Sequence, residues 1–318
     1  MEQRRLGSAP FTVSAMGLGC NNFGRAGTVT ETQEGTDAVV HAALDAGVTF
    51  FDTADLYGGE WGTSETLMGN AWKGRRDEAV LATKFGYTEV ATPLDDLGAK
   101  GSPAYLRAAC EASLERLRTD RIDLFQQHQP DPAVPIEDTI GALAELVEEG
   151  KILAYGVSQF TADQLQAADA AVAERGLPGL ASSQDELSLV ARGVETDGRL
   201  AAAERIGAGF LPFFPLANGL FTGKFSRTEI PADSRIGRQR PHIAQNADWD
   251  AMEAYAALCE EWGVSMLEAT LGWFLARPVV SSVIAGATRQ EQVTQNAAAS
   301  SWRPDDQQLT LIDALFPA

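Results

Sequence analysis

The chain has few of the residues that build disulfide frameworks and metal centres. Its three cysteines, Cys20, Cys110 and Cys259, lie in distant segments and share no C-x-x-C spacing. Its three histidines are equally scattered and show no metal-ligand spacing. An odd number of isolated cysteines argues against a disulfide scaffold and against a cysteine metal site, so we predict no metal and a reducing compartment.

Long hydrophobic runs are also missing. No window approaches 18 consecutive apolar residues, the length expected of a transmembrane helix. The first 20 residues lack a basic region followed by a long apolar one, as a secretory signal would have. The sequence therefore predicts a cytoplasmic protein without a membrane partner.

Positive charge is scarce. Lys and Arg number 25 against 44 Asp and Glu, which gives a net charge of -19. Nucleic-acid binding requires clustered cations that neutralise phosphates, so we predict no nucleic-acid partner. Any phosphate site in this chain has to be locally basic. The sequence also has no G-x-G-x-x-G after an early strand and no P-loop motif, which argues against the common nucleotide-binding folds that use them.

What the chain does contain is a repeated pattern of short apolar runs and longer amphipathic segments, separated by Gly, Pro or polar turns. The apolar runs predict eight strands, near 15–19, 48–52, 79–84, 121–127, 153–158, 180–184, 209–214 and 281–285. The amphipathic segments predict one helix after each strand, near 34–46, 64–73, 103–117, 136–149, 162–175, 197–206, 265–276 and 289–299.

Eight βα units match a closed (β/α)8 barrel, the α/β fold also called a TIM barrel. Arg4 to Leu6 and Phe11 to Val13 flank a Gly-Ser-Ala-Pro turn, which predicts an N-terminal β-hairpin that caps one end of the barrel. Residues 217–247 are rich in Gly, Pro, Asn and Arg and predict a long loop over the barrel mouth, before a helix that begins near Asp248. No linker divides the chain, so we predict one domain over 1–318. A two-lobed, doubly wound open sheet is the alternative.

Polar side chains follow three of the predicted strands. Asp52 and Tyr57 lie within the run from Thr49 to Gly58, Lys84 ends the next strand, and His128 ends the one after it. Catalytic groups of a (β/α)8 barrel lie at the carboxyl ends of its strands, so these four side chains should surround one cavity.

The four groups together suit proton donation to an oxygen that gains negative charge. A phenol has a pKa near 10, and a neighbouring Lys84 ammonium should lower the pKa of Tyr57. Asp52 should keep Lys84 charged and positioned, and His128 should hydrogen-bond a substrate oxygen. Such a device suits carbonyl reduction, with hydride from a cofactor. A barrel hydrolase that uses Asp52 and His128 on water is an alternative.

The chain resembles the aldo-keto reductase family over nearly its whole length. The motifs that carry the resemblance are FDTADLYG (51–58), Thr83-Lys84, DRIDLFQQHQPD (120–131), GKILAYGVSQF (150–160) and PLANGLFTGK (215–224). The resemblance implies an NAD(P)(H)-dependent oxidoreductase that acts on a small carbonyl substrate, with Asp52, Tyr57, Lys84 and His128 as the family's tetrad and Tyr57 as the general acid.

The resemblance also implies cofactor contacts. Ser158 and Gln184 would hydrogen-bond the nicotinamide carboxamide, and Phe213 would stack on the nicotinamide ring. The full implied set is Ser158, Gln159, Gln184, Phe213, Pro215, Leu216, Lys224, Gly286, Arg289, Gln292 and Asn296. Arg289 would meet a 2'-phosphate, so the resemblance favours NADP(H), with NAD(H) as the alternative.

Two positions depart from the family pattern. Gln159 replaces the usual Asn, which changes the reach of the amide, and Phe213-Phe214 replaces a common Tyr-Ser pair, which keeps the aromatic ring and loses a hydroxyl. Some proteins that resemble this family are cofactor-binding redox sensors or regulatory subunits. That role is the alternative to an enzyme.

Overall fold

Eight parallel strands form a closed barrel in the computed structural model, which describes residues 1–318. The strands, numbered from the N-terminus, are β1 (Gln3–Arg5), β2 (Thr12–Ser14), β3 (Met16–Gly19), β4 (Phe50–Asp52), β5 (Val80–Phe85), β6 (Ile122–Gln127), β7 (Ile152–Ser158), β8 (Ser182–Glu186), β9 (Gly209–Phe213) and β10 (Val283–Gly286). The barrel runs from β3 to β10, and β10 pairs with β3 to close it. The predicted fold is confirmed, and the open-sheet alternative is wrong.

Helices follow the barrel strands and surround them. They are α1 (Gln33–Asp45), α2 (Thr63–Ala71), α3 (Pro103–Leu117), α4 (Ile136–Glu148), α5 (Ala162–Arg175), α6 (Gly193–Thr196), α7 (Arg199–Arg205), α8 (Arg235–Gln239), α9 (Pro241–Gln245), α10 (Trp249–Glu261), α11 (Met266–Leu275), α12 (Gln290–Ala299) and α13 (Asp306–Leu315). Local sequence explains several starts: Ser102 caps α3 ahead of Pro103, and Thr161 forms a capping box with Gln164 at α5.

The helix pattern differs from the prediction in several places. Two helices, α6 and α7, follow β8, and four, α8 to α11, lie between β9 and β10, so one helix per strand is wrong there. The helix predicted to begin near Asp248 is confirmed as α10, which Asp248 caps. The segment 217–247 is not purely irregular, because it contains a 3-10 turn (Ala217–Thr222) and the short helices α8 and α9. The final helix α13 was missed. It begins with a capping box of Asp305 and Gln308, which is a local signal that was available in the sequence.

The strand pleat divides the apolar residues between two layers. Successive side chains of a strand point to opposite faces, so Phe50 lies inside the barrel with Leu124, whereas Phe51 packs outward against Trp72. The hairpin β1–β2 covers the amino-terminal end of the barrel, where Leu6 and Val13 are fully buried in the same interior cluster. The predicted cap is therefore present, and the carboxyl-terminal rim is the end that remains available for a site.

No helix is both long and apolar enough to cross a membrane.

Candidate active site

Three adjacent strands bring the predicted side chains to one rim. Asp52 is the last residue of β4, Lys84 precedes the last residue of β5, and His128 directly follows β6. The loop after β4 is held against β5 by the Asp55 amide, which donates to the Lys84 carbonyl over 3.1 Å. This loop carries Tyr57 to the same rim, so the structure brings all four predicted residues together.

Lys84 is the centre of the group. Its fully buried Nζ donates to Asp52 Oδ2 over 2.6 Å and to the Thr53 carbonyl over 2.8 Å, and it lies 3.5 Å from the Tyr57 hydroxyl. Burial alone would lower the pKa of this ammonium, but the Asp52 carboxylate and Tyr57 more than offset it. The pKa of Lys84 therefore lies above its ordinary value, and the side chain stays charged.

Tyr57 is half-buried beside that charge. Burial raises the pKa of its phenol, Lys84 opposes the rise, and Asp52 adds to it. Lys84 thus acts in the direction that the sequence predicted, but the loss of solvent outweighs it and the net pKa is raised. The phenol is protonated at neutral pH, as a proton donor must be.

His128 completes the rim on the other side of the phenol. Its ring packs edge-on against Tyr57 and Tyr87, with centroids 5.7 and 5.0 Å away. Burial, together with the Lys84 charge, holds the pKa of His128 well below its usual range. The imidazole is therefore neutral, and it can donate a hydrogen bond without bringing a second cation to the site.

A buried polar network behind Asp52 was missed by sequence reasoning. Gln184 Nε2 donates to Asp52 Oδ1 over 2.9 Å, and Gln126 Nε2 approaches the same oxygen at 3.3 Å. Ser182 Oγ in turn donates to Gln126 Oε1 over 3.0 Å. The available signal was pleat parity: Gln126 has the same parity as the inward-facing Leu124 and pairs in register with Lys84.

Four residues of the implied cofactor set lie on the other half of the rim. Ser158 ends β7 and pairs in register with Gln184 on β8, and both are buried. Phe213 ends β9, and its half-buried ring packs edge-on against Phe214 at 5.2 Å. Gly286 ends β10 and is exposed. The barrel thus places these positions along one arc from β7 to β10.

Three of the implied residues use part of their side-chain amide within the protein, and Gln184, which donates to Asp52, is the first of them. The Gln159 side-chain nitrogen donates to the His128 carbonyl over 3.1 Å, and Gln159 itself has a φ of 61°. The Gln292 carbonyl oxygen accepts from the backbone amides of Thr288 and Arg289 and so organises the start of α12. Contact of these amides with a cofactor stays a prediction.

The remaining implied positions follow β9 and β10 along the chain. Pro215 and Leu216 follow β9, and the exposed Lys224 comes directly after the 3-10 turn of the long segment. Arg289 is exposed at the start of α12, and Asn296 is half-buried within that helix. Cys20 directly follows β3, the strand that pairs with β10, and is fully buried there; burial raises the pKa of its thiol well above the ordinary value. Its thiol is an inert core group.

The closed parallel barrel, with a charged lysine, a phenol and a neutral imidazole together at its carboxyl-terminal rim, defines a (β/α)8-barrel protein. The family model of the aldo/keto reductase family matches residues 15–316, and the chain belongs to that family. It is similar to the probable aldo-keto reductase 1 of Glycine max, at 33% identity over 98% of this chain and 88% of that protein. It is also similar to the L-glyceraldehyde 3-phosphate reductase of Escherichia coli (strain K12), at 32% identity over 94% of this chain and 87% of that protein.

Membership of this family identifies the chain as an oxidoreductase whose activity class is NAD(P)H-dependent carbonyl reduction. The resemblance predicted from the strand-end motifs is therefore confirmed over nearly the whole chain.

Proposed function

We propose that this protein reduces a small aldehyde or ketone to an alcohol, with Tyr57 as the proton donor and Asp52, Lys84 and His128 as its supporting groups. The observation that carries the proposal is the chain of contacts from Asp52 through the buried Lys84 Nζ to the Tyr57 hydroxyl. A bound reduced nicotinamide would supply the hydride that the carbonyl carbon needs.

The protein's own part is to place and protonate the substrate oxygen. His128 is neutral and lies beside Tyr57, so both side chains can hydrogen-bond one carbonyl oxygen. As that oxygen becomes an alkoxide, it takes the Tyr57 proton, because an alkoxide is a stronger base than a phenolate. Lys84 then stabilises the phenolate, and Asp52 holds Lys84 in place.

Unpartnered polar groups on the rim support nicotinamide dinucleotide binding. Lys224 and Arg289 are exposed and have no carboxylate within 4.0 Å, and Arg235 Nε is buried without a hydrogen-bond acceptor. A pyrophosphate meets this need, since guanidinium and ammonium groups bind phosphate oxygens by charge-assisted hydrogen bonds. We assign Lys224 and Arg235 to the pyrophosphate and Arg289, with Gln292 and Asn296, to the adenosine end. This assignment favours NADP(H) over NAD(H).

The hydrolase alternative fits the geometry poorly. The Asp52 carboxylate is 3% exposed, and both of its oxygens are engaged, by Lys84 and Gln184. A carboxylate in these contacts does not have a free oxygen to activate water. The intact contact from Lys84 to Tyr57 supports turnover and not cofactor sensing alone.

The substrate panel that tests this proposal contains aldehydes, ketones and sugars, each with NADPH and NADH. One relative is named for L-glyceraldehyde 3-phosphate, so phosphorylated aldehydes belong in the panel. Oxidation of NADPH that depends on a carbonyl compound is the expected result. Tight cofactor binding without any turnover would favour a sensor.

Replacing Tyr57 with Phe tests the proton donor. We expect kcat for the best aldehyde to fall by about 10²- to 10⁴-fold, the usual contribution of a positioned general acid. The NADPH Kd, measured by fluorescence titration, should stay at the wild-type value, because only a hydroxyl is lost. Tyr105→Phe is the matched control, since its hydroxyl lies on α3 and contacts Thr92. Wild-type turnover by Tyr57→Phe would refute the assignment.

A further inference from the structure

Two arginines of the long segment flank one aromatic ring at the barrel mouth. The Cζ atoms of Arg235 and Arg240 lie 5.4 and 5.7 Å from the Phe214 ring centroid. Phe214 directly follows β9, with a φ of 53°. Both guanidinium groups are therefore held at the rim and do not extend freely into solvent.

A third arginine reaches this region from the loop after β3. Arg25 donates to the Asn21 carbonyl over 3.3 Å and follows Gly24, where an added Cβ would lie 3.5 Å from Gly58 Cα. Gly58 is the neighbour of Tyr57, so Arg25 lies beside the proton-donor loop. Burial and then the Arg240 charge lower the pKa of Arg25, and Tyr57 opposes them. The long segment contacts this loop directly, because Arg238 Nη1 donates to the Gly27 carbonyl over 3.3 Å. That contact brings the loop of Arg25 next to the segment that carries Arg240.

These three guanidinium groups have no counter-ion. No carboxylate oxygen lies within 4.0 Å of any of them, although the chain carries 44 acidic residues. Burial raises the pKa of the nearby Glu186 and the Arg240 charge opposes the rise, but the two side chains form no ion pair. By contrast, Arg227 of the same long segment pairs with Asp250 and Glu253. An acidic protein that leaves clustered arginines unpaired at its mouth has a local site for an anion.

We propose that Arg25 and Arg240 bind an anionic group, a phosphate or a carboxylate, that is carried by the carbonyl substrate. This inference rests on the proposed function. We assign the anion to the substrate because Arg25 adjoins the loop that presents Tyr57, where the carbonyl oxygen has to lie. The cofactor phosphates already have Lys224, Arg235 and Arg289. A planar guanidinium pairs with either anion through two parallel hydrogen bonds.

The test compares charged and neutral aldehydes of matched size. Glyceraldehyde 3-phosphate is compared with glyceraldehyde, and succinic semialdehyde with butanal, so that the two arms separate phosphate from carboxylate. Arg25→Met and Arg240→Met should each raise KM for the preferred charged aldehyde by about 10- to 100-fold, the effect of one lost charge-assisted contact. KM for its neutral partner and the NADPH Kd should not change. Arg25→Lys, which keeps the charge, should recover part of the loss.

Arg227→Met is the matched control, because it removes the same charge from the same long segment away from the mouth. An independent readout uses wild-type protein and a neutral aldehyde: inorganic phosphate or acetate should inhibit competitively, and Arg25→Met should relieve that inhibition at equal chloride concentration. Thermal unfolding of each variant confirms that it is folded.

The proposal would be overturned if the arginine variants raised KM equally for charged and neutral aldehydes, or if they bound NADPH more weakly. Either result would mean that these arginines bind the cofactor or stabilise the fold. Wild-type protein that reduces neutral aldehydes at least as well as charged ones would overturn it too, and would leave the proposed function intact. Absence of any carbonyl-dependent NADPH oxidation would overturn both.

Discussion

Asp55, two residues before Tyr57, is a buried carboxyl group that the proposed chemistry does not use. It is 1% exposed, and neither side-chain oxygen has a hydrogen-bond partner. Burial, and then the charge of Glu65, raises its pKa to about 7, although Arg116 opposes the rise. Between its ordinary pKa and pH 7 the folded protein therefore holds a proton that the unfolded chain has released. The fold loses stability as the pH rises through this range.

Replacing Asp55 with Asn should remove this pH dependence, because the amide does not titrate. We expect the variant to gain stability over the wild type as the pH rises from 4 to 8, up to roughly 4 kcal/mol, the limit set by the pKa difference. Urea unfolding at pH 5 and pH 8 measures the gain. Asp185 has its pKa raised to about 7 as well, so some dependence remains. The exposed Asp233→Asn is the control, and a gain that is equal at both pH values would contradict the prediction.

At the scale of the element, β7 contains a glycine that the barrel interior requires. An added Cβ at Gly156 would lie 1.9 Å from Ser182 Oγ on β8. That hydroxyl supports Gln126, which approaches Asp52. The missing side chain on one strand therefore makes room for the polar network that holds the proposed catalytic carboxylate.

Gly156→Ala should consequently affect both the fold and the site. We expect the free energy of unfolding to fall by about 1 to 3 kcal/mol, the usual effect of overpacking a core. We also expect a lower kcat, because Ser182 and Gln126 have to shift. Adding Ser182→Ala removes the clashing hydroxyl and should restore only part of the stability, because the Ser182 carbonyl oxygen would still lie 2.9 Å from the added Cβ. Gly179→Ala is the control, since its nearest contact would be Ser8 Cβ at 3.7 Å. Thermal unfolding and steady-state kinetics measure both effects. A Gly156→Ala protein with wild-type stability would show that the barrel relaxes freely here.

At the scale of the whole molecule, the three cysteines report on the intact fold. All three are free and buried. Cys20 lies in the turn after β3, Cys110 in α3 and Cys259 in α10. Burial raises the thiol pKa of Cys110 and Cys259 to about 12, and it raises that of Cys20 well above its usual range. The thiolate is the reactive form, so both access and ionisation oppose reaction in the folded state.

We therefore expect no thiol to react with an aromatic disulfide reagent in native protein at pH 7.5 within minutes, and all three to react after unfolding in urea. Absorbance of the released thiolate gives the count. Because the three sites lie in different parts of the barrel and its surrounding helices, their labelling rates near the unfolding midpoint should coincide if the molecule opens cooperatively. Rapid labelling of one thiol in native protein would reveal local opening instead.

Much of the architecture is local and could be predicted from the sequence. The eight strands, the hairpin and most helices follow from period and turn residues, because strand and helix patterns depend on neighbours a few positions apart. Asp52, Lys84 and His128 were found for the same reason, since each stands at a strand end. The helix α13 was missed although its capping box is local, because it follows α12 with no strand between them and so falls outside the βα alternation.

What the tertiary structure decided concerns groups that are distant along the chain. Gln126, Ser182 and Gln184 meet Asp52 only because the sheet closes, and the net rise of the Tyr57 pKa depends on how much solvent the closed rim excludes. The unpaired arginines at the mouth likewise come from two separate loops. Sequence patterns determined which side chains reach the rim, whereas burial and long-range contacts, which no local period encodes, determined their charge states and partners.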